Sequence, residues 1–124
     1  MKITFDDVLQ SKEISTYIEQ SDNVLLSMGY TEHSFPHVMY VAERTCEILT
    51  KLGYSERDAE LASIAAYMHD IGNMVNRYDH AQNSGLMAFQ LLKEMHADPE
   101  DIAIIVTAIG NHDEGSAFPV DPIT

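Results

Sequence analysis

Apolar positions recur at spacings of three and four residues along most of the chain, which is the period of an amphipathic α-helix. The strict alternation typical of strands is nowhere sustained, so the pattern predicts an all-α fold. Asp79 and Asp98 are expected to cap the last two complete helices, and Asp121 carries the signal for the start of another. The predicted helices run from about Asp6 to Gln20, through Val24–Met28, from Pro36 to Leu52, from Ser55 to Met68, from Asp79 to Met95 and from Pro99 to Ile109.

Two of these helices differ in how their apolar residues are distributed. The helix that stops before Gly53 is expected to bury one stripe, formed by Val38, Val41, Ala42, Thr45, Ile48, Leu49 and Leu52. The next helix, which ends at Met68, is apolar nearly all round and should therefore lie in the middle of its domain. His69 and Asp70 follow directly, so we expect both in or beside the core.

Length and composition predict one domain over residues 1–124. No apolar stretch approaches the ~20 residues that a bilayer requires, and we expect no membrane association. The N-terminus turns acidic where a secretory signal would be apolar, so a cytoplasmic location is the default expectation. Cys46 is the single cysteine, which excludes an internal disulfide.

The formal charge of −13 bears on the partners of the protein. A surface this acidic repels the phosphates of nucleic acids, so we expect no nucleic-acid partner. A small phosphorylated substrate could still bind where cations reverse the potential locally. The apolar faces of two helices are compatible with the core of a monomer or with part of a homodimer interface.

The adjacent pair His69-Asp70 is the strongest candidate for chemistry. A carboxylate at the end of an apolar helix is costly to desolvate unless it is paired, hydrogen-bonded or bound to a cation. A metal ion would supply such a partner. The alternative is that Asp70 caps or turns the chain while His69 is an ordinary core histidine.

Three further histidines, His37, His80 and His112, lie at helix ends or junctions. Each by itself is explained as a core, capping or loop residue. Together with Asp70 they form the mixture of imidazole and carboxylate that metals use at hydrolytic sites. His33 is expected in a loop, on the substrate side of a site at most, and His96 at a helix end with no chemical role.

The ordered set His37, His69-Asp70-Ile71-Gly72, His80 and His112 resembles the HD-domain superfamily of metal-dependent phosphohydrolases. The local sequences that begin at His37 (residues 37–42) and that contain His69-Asp70 (residues 65–72) are also similar to that family. The resemblance covers roughly residues 30 to 113. It implies a compact HD-domain-like helical bundle. It also implies a first metal ion on His37, His69 and Asp70, and a second on His80 and His112 in members with two.

The chain departs from the family pattern at three places. Tyr40 stands where many members have arginine, and Asn111 precedes His112 where two-metal members often have two histidines. The family's first metal usually receives a later aspartate from a following helix, which would start here at Asp121. We therefore expect a domain truncated before its C-terminal helix or helices, in which Asp113 or Asp121 could replace that ligand if the loop folds inward.

The resemblance implies hydrolysis of a phosphate ester, in a nucleotide or another small molecule, by water that a metal ion activates. One or two divalent ions are expected, from among Mn, Fe, Ni, Zn and Mg. Asp70 would bridge the ions, His80 would complete the catalytic centre, and Arg77 would contact a phosphate. Two alternatives stay open: a non-catalytic module that binds a nucleotide or a partner protein, and a purely structural helical bundle.

Overall fold

Six α-helices and one short 3-10 helix are seen in the computed structural model, which describes residues 1–30, 35–113, 120–121 and 123–124. The elements are α1 (Phe5–Gln10), α2 (Lys12–Ser27), α3 (Phe35–Lys51), α4 (Glu56–Met68), the 3-10 helix (Ile71–Met74), α5 (His80–Glu94) and α6 (Pro99–Gly110). No strand occurs in these ranges, which confirms the all-α prediction. Within them, no helix is both long enough and apolar enough to cross a membrane.

The N-terminal helices are divided differently from the prediction. The expected helix from Asp6 to Gln20 is wrong, because the chain becomes extended at Ser11, whose hydroxyl accepts a hydrogen bond from the Ile14 amide at 3.3 Å. This serine caps a new helix that continues to Ser27 without a break. The short helix predicted over residues 24–28 is therefore the end of α2.

Helix α4 lies at the centre of the fold, as predicted. Every residue from Leu61 to Met68 is buried, and the helix packs against α1, α3 and α6. Helix α5 packs against α6 and the 3-10 helix, and α2 also packs against that 3-10 helix. The end of α4 is thus enclosed by the remaining helices, which places the residues that follow Met68 in the interior.

Helix α3 buries a narrower stripe than its apolar pattern predicts. Val38, Ala42 and Leu49 are buried, whereas Ile48 is 53% and Leu52 68% exposed. Ile48 is turned about 100° around the helix from Leu49 and so points away from α4. Leu52 follows the last helical residue and lies in the turn.

The two aspartates expected as caps occupy the N-cap positions without capping through their side chains. Asp79 has a left-handed backbone, with φ of 56°, and is exposed. The Asp98 carboxylate instead binds the N-terminal ammonium of Met1 at 2.7 Å, which fastens the start of the chain to the start of α6.

Arg57 at the start of α4 joins three parts of the fold. Its guanidinium donates to the Ile3 carbonyl at 2.6 Å, to Glu60 at 2.7 Å and to Asp101 of α6 at 2.6 Å. The side chain is 23% exposed, so these charged hydrogen bonds are only partly screened by water.

We expect Arg57→Met to lower the free energy of unfolding by about 2 kcal/mol, because it removes a charged donor from two carboxylates and a carbonyl. Urea denaturation followed by circular dichroism measures this loss. The matched control is Arg44→Met on α3, whose exposed guanidinium pairs with Glu47 at 3.6 Å and should contribute little. Equal effects of the two substitutions would contradict a structural role for Arg57.

Candidate metal centre

The pair His69-Asp70 lies where α4 ends and the 3-10 helix begins, and the backbone of Asp70 is held from two sides. Its carbonyl accepts hydrogen bonds from the Ser21 hydroxyl of α2 at 2.9 Å and from the Asn73 side chain at 2.8 Å. Asn73 and Ser21 are themselves buried. These polar contacts fix the main chain at Asp70, so its carboxylate projects in a defined direction. The residue is only 7% exposed.

Four histidines from separate segments surround the Asp70 carboxylate, two on each oxygen. Oδ2 lies 3.1 Å from Nε2 of His69 and 3.9 Å from Nε2 of His37. Oδ1 lies 3.5 Å from Nε2 of both His80 and His112, and these two nitrogens are 3.2 Å apart. The structure therefore brings together all five residues that the sequence singled out as metal ligands.

Backbone carbonyls orient two of the imidazoles. Nδ1 of His69 contacts the Ala66 carbonyl, and Nδ1 of His112 lies 2.6 Å from the Ile109 carbonyl. A carbonyl only accepts, so each Nδ1 carries the proton in these hydrogen bonds. When such a ring is neutral, the lone pair that could bind a metal ion is on Nε2, the atom nearest Asp70; when the ring is protonated, Nε2 donates to the Asp70 carboxylate.

The protonation of the cluster follows from its burial and charges. Burial opposes ionisation of Asp70, but hydrogen bonds and charge from His112 and His69 outweigh it and hold the Asp70 pKa far below its usual range. Burial, reinforced by the positive charge of Arg77, lowers the pKa of His80. Burial also acts to lower the pKa of His69, but contact with Asp70 outweighs it and raises that pKa.

The donor set fits divalent metal ions at two positions. His37, His69 and Asp70 form one group of ligand atoms, and Asp70, His80 and His112 form another, with all atoms of a group within 4.8 Å of one another. Two ligands that each lie ~2.1 Å from an ion are at most ~4.2 Å apart, which the distances to Asp70 satisfy. Because each carboxylate oxygen faces a different group, Asp70 could contribute one oxygen to each.

Helix α5 approaches the 3-10 helix so closely that Gly72 has no room for a side chain. A β-carbon there would lie 2.3 Å from the Ser84 amide nitrogen and 2.5 Å from the His80 carbonyl oxygen. The Gly72 amide donates to the Ser84 hydroxyl at 2.7 Å. This contact sets the distance between the segment of Asp70 and the first turn of α5, which carries His80.

Ser21, Asn73 and Ser84 are supporting residues that the sequence did not single out. All three are buried, and each makes a hydrogen bond to the backbone of Asp70 or Gly72. Serine on a helix is common and has no distinctive spacing, so only their burial distinguishes them. For Asn73, the sequence offered only its position directly after Ile71-Gly72.

Arg77 lies near the cluster but outside both ligand groups. Its guanidinium contacts the Asn73 side chain at 3.4 Å and sits 5.4 Å from the centre of the Tyr30 ring. A cation over an aromatic face is attracted by the ring, so Tyr30 and Asn73 hold Arg77 from two directions. Its contact with a phosphate stays a prediction.

The other candidate residues do not join the ligand groups found among the described residues. Asp113 is half-buried, and its negative charge acts on His80. Asp121 accepts hydrogen bonds from the amides of Ile123 and Thr124 at 3.0 and 3.1 Å, so it caps a turn. His96 is exposed after α5, with φ of 62°, and His33 lies outside the described residues.

Comparison with known protein families identifies the segment that carries the cluster. The HD domain family matches residues 34–120, a segment that contains all five residues of the cluster. The chain belongs to the HD domain family. The resemblance inferred from the ordered histidines is thereby confirmed, and it places this HD protein in the superfamily of metal-dependent phosphohydrolases.

An uncharacterised protein of Methanocaldococcus jannaschii is similar to this HD protein, with 25% identity. The match covers 92% of the present chain and 52% of the relative, so the chain spans about half the length of that protein. No solved structure matches.

Proposed function

We propose that this HD protein binds two divalent metal ions, shared through Asp70, and hydrolyses a phosphate ester of a small molecule such as a nucleotide. The observation that carries the proposal is the division of the Asp70 carboxylate. Each of its oxygens faces a separate pair of histidine nitrogens, at 3.1 and 3.9 Å on one side and at 3.5 Å on the other. A simple ion pair would need only one histidine next to the carboxylate, not two next to each of its oxygens.

The residues assign each ion its ligands. His37 and His69 would hold one ion, His80 and His112 the other, with Asp70 common to both. Bound divalent ions would supply a water of lowered pKa and would neutralise phosphoryl oxygens. Four imidazoles with one carboxylate favour Mn, Fe, Ni or Zn over Mg, which prefers oxygen ligands.

Charge supports a phosphorylated substrate at this site in an otherwise acidic protein. One carboxylate cannot neutralise two divalent ions, so the loaded centre would carry net positive charge within a chain of formal charge −13. Arg77 adds a cation nearby, held by Asn73 and Tyr30. Its planar guanidinium is suited to contact two phosphoryl oxygens at once, and we assign it that role.

The test is elemental analysis of protein purified without chelators, followed by assays on a panel of phosphate monoesters and diesters. We expect two ions per chain and turnover that a chelator abolishes and added metal restores. Absence of bound metal together with absence of turnover would contradict the proposal. Nucleotide binding by calorimetry without product would instead support the non-catalytic alternative.

Arg77→Gln should raise KM at least about tenfold, because the substrate loses its charged contact with the guanidinium, while the metal content stays the same. The control is Arg44→Gln, which removes the same charge from an exposed position on α3. An unchanged KM in the Arg77 variant would exclude its role in binding phosphate.

A further inference from the structure

A cavity of about 270 Å³ lies between α3, α4, α6 and the C-terminal residues Ile123 and Thr124, directly beside the candidate metal centre. Four alanines form much of its wall: Ala62, Ala65 and Ala66 from α4 and Ala108 from α6. Ala65 and Ala66 lie three and four residues after Ala62, so these three alanines share one face of α4. Their small side chains leave the space open where larger residues would fill it.

The cavity shares part of its boundary with the metal centre. His69 and His112 line it, and they belong to different ligand groups of the centre. Their rings are 4.9 Å apart and nearly perpendicular. The cavity and the candidate metal centre therefore have these two side chains in common.

The chemistry of the wall favours an uncharged occupant. Among the described residues that line it, no side chain is an Asp, Glu, Lys or Arg. The Thr45 hydroxyl already donates to the Val41 carbonyl at 2.7 Å. A charged group held away from the His69 and His112 rings would lose hydration without gaining a charged side chain as a partner.

The volume sets the size of the occupant. A cavity of ~150 Å³ lined by apolar residues holds a benzene molecule. A space of about 270 Å³ is therefore large enough for one ring with substituents or for two fused rings.

We propose, building on the function above, that this alanine cavity binds the uncharged, ring-sized organic group of the phosphate ester. The cavity selects for compact apolar groups and against substrates that carry a second charge on that part of the molecule. Affinity and size selection both arise from burial of the ring against the alanine wall.

Phosphonates test the cavity without requiring turnover. Calorimetry on the Mn²⁺-loaded protein would compare methylphosphonate, phenylphosphonate, 1-naphthylphosphonate and 4-carboxyphenylphosphonate. We expect both aryl compounds to bind at least about tenfold more tightly than methylphosphonate, because burying a ring removes apolar surface from water. The added carboxylate should abolish that advantage.

Ala65→Leu would fill the cavity one helical turn before His69, and the ratio of phenylphosphonate to methylphosphonate affinity should then fall towards one. Ala103→Leu is the matched control, since Ala103 lies on the exposed side of α6. Val41→Phe fills the cavity from α3 and repeats the test if Ala65→Leu disturbs folding or metal content. Thermal unfolding and elemental analysis of each variant decide which one is used.

The outcomes separate the two proposals. Binding of methylphosphonate alone reports on the metal centre, whereas the aryl-to-methyl ratio reports on the cavity. If methylphosphonate binds but the ring adds nothing, or if the filled variants keep the wild-type ratio, the cavity proposal is overturned and the proposed function stands. If no phosphonate binds, both proposals are contradicted.

Discussion

Asp70→Asn should remove metal from both positions and abolish metal-dependent hydrolysis. Asparagine keeps the size of the side chain but loses the charge, and it offers one good oxygen ligand in place of two. Both ligand groups depend on this carboxylate, since Oδ1 faces one pair of histidines and Oδ2 the other. We expect metal affinity to fall by more than roughly 100-fold, the upper range for removing a group that only supports a ligand.

Competition with a chelating dye measures the loss of affinity, and elemental analysis measures stoichiometry. Asp79→Asn is the matched control, because it removes the same charge from an exposed position one residue before His80. Asparagine tolerates the left-handed backbone that Asp79 adopts, so the fold should be unaffected. Retention of two ions by the Asp70 variant would show that the carboxylate does not bridge them.

Gly72→Ala should destabilise the fold by about 2 kcal/mol and weaken one metal position more than the other. The new β-carbon would be 2.3 Å from the Ser84 nitrogen and 2.5 Å from the His80 carbonyl oxygen, and both are main-chain atoms that cannot rotate away. The 3-10 helix and α5 must therefore separate. The hydrogen bond from the Gly72 amide to Ser84 would be strained or lost with them.

The displacement acts on His80, whereas His37 and His69 belong to other segments. We therefore expect the metal content of Gly72→Ala to fall from two ions to one. Gly110→Ala provides the control, since a β-carbon there meets nothing within 4 Å. Urea denaturation and metal analysis of both variants test the prediction, and two retained ions in Gly72→Ala would contradict the role of this contact.

The residues of the candidate metal centre could be predicted from the sequence, but their arrangement could not. Asp70 drew attention because a carboxylate after an apolar helix needs a partner, and the order of the histidines suggested a family. The distribution of the four imidazoles over two oxygens appears only when the helices are assembled. The supporting serines, Ser21 and Ser84, carried no signal, since a serine on a helix face is ordinary until its burial is known.

The sequence by itself determined the all-α fold, the central position of α4 and the identity of the clustered residues. The first two are local, because the helical period and the apolar surround of one helix act within a few residues. The third came from the order of the histidines along the chain, which resembles a family. The break at Ser11, whose hydroxyl caps α2, did not follow from the apolar pattern.

Only the tertiary structure decided that the His69-Asp70 pair meets histidines from three other segments, that Ile48 faces water, and that an alanine-walled cavity adjoins the site. Each depends on the distance and angle between helices, which are set by complementary packing and by close contacts such as that at Gly72. The spacing of apolar residues predicts which face of a helix is apolar. The neighbour that covers this face, and how closely it approaches, is a property of the assembled core.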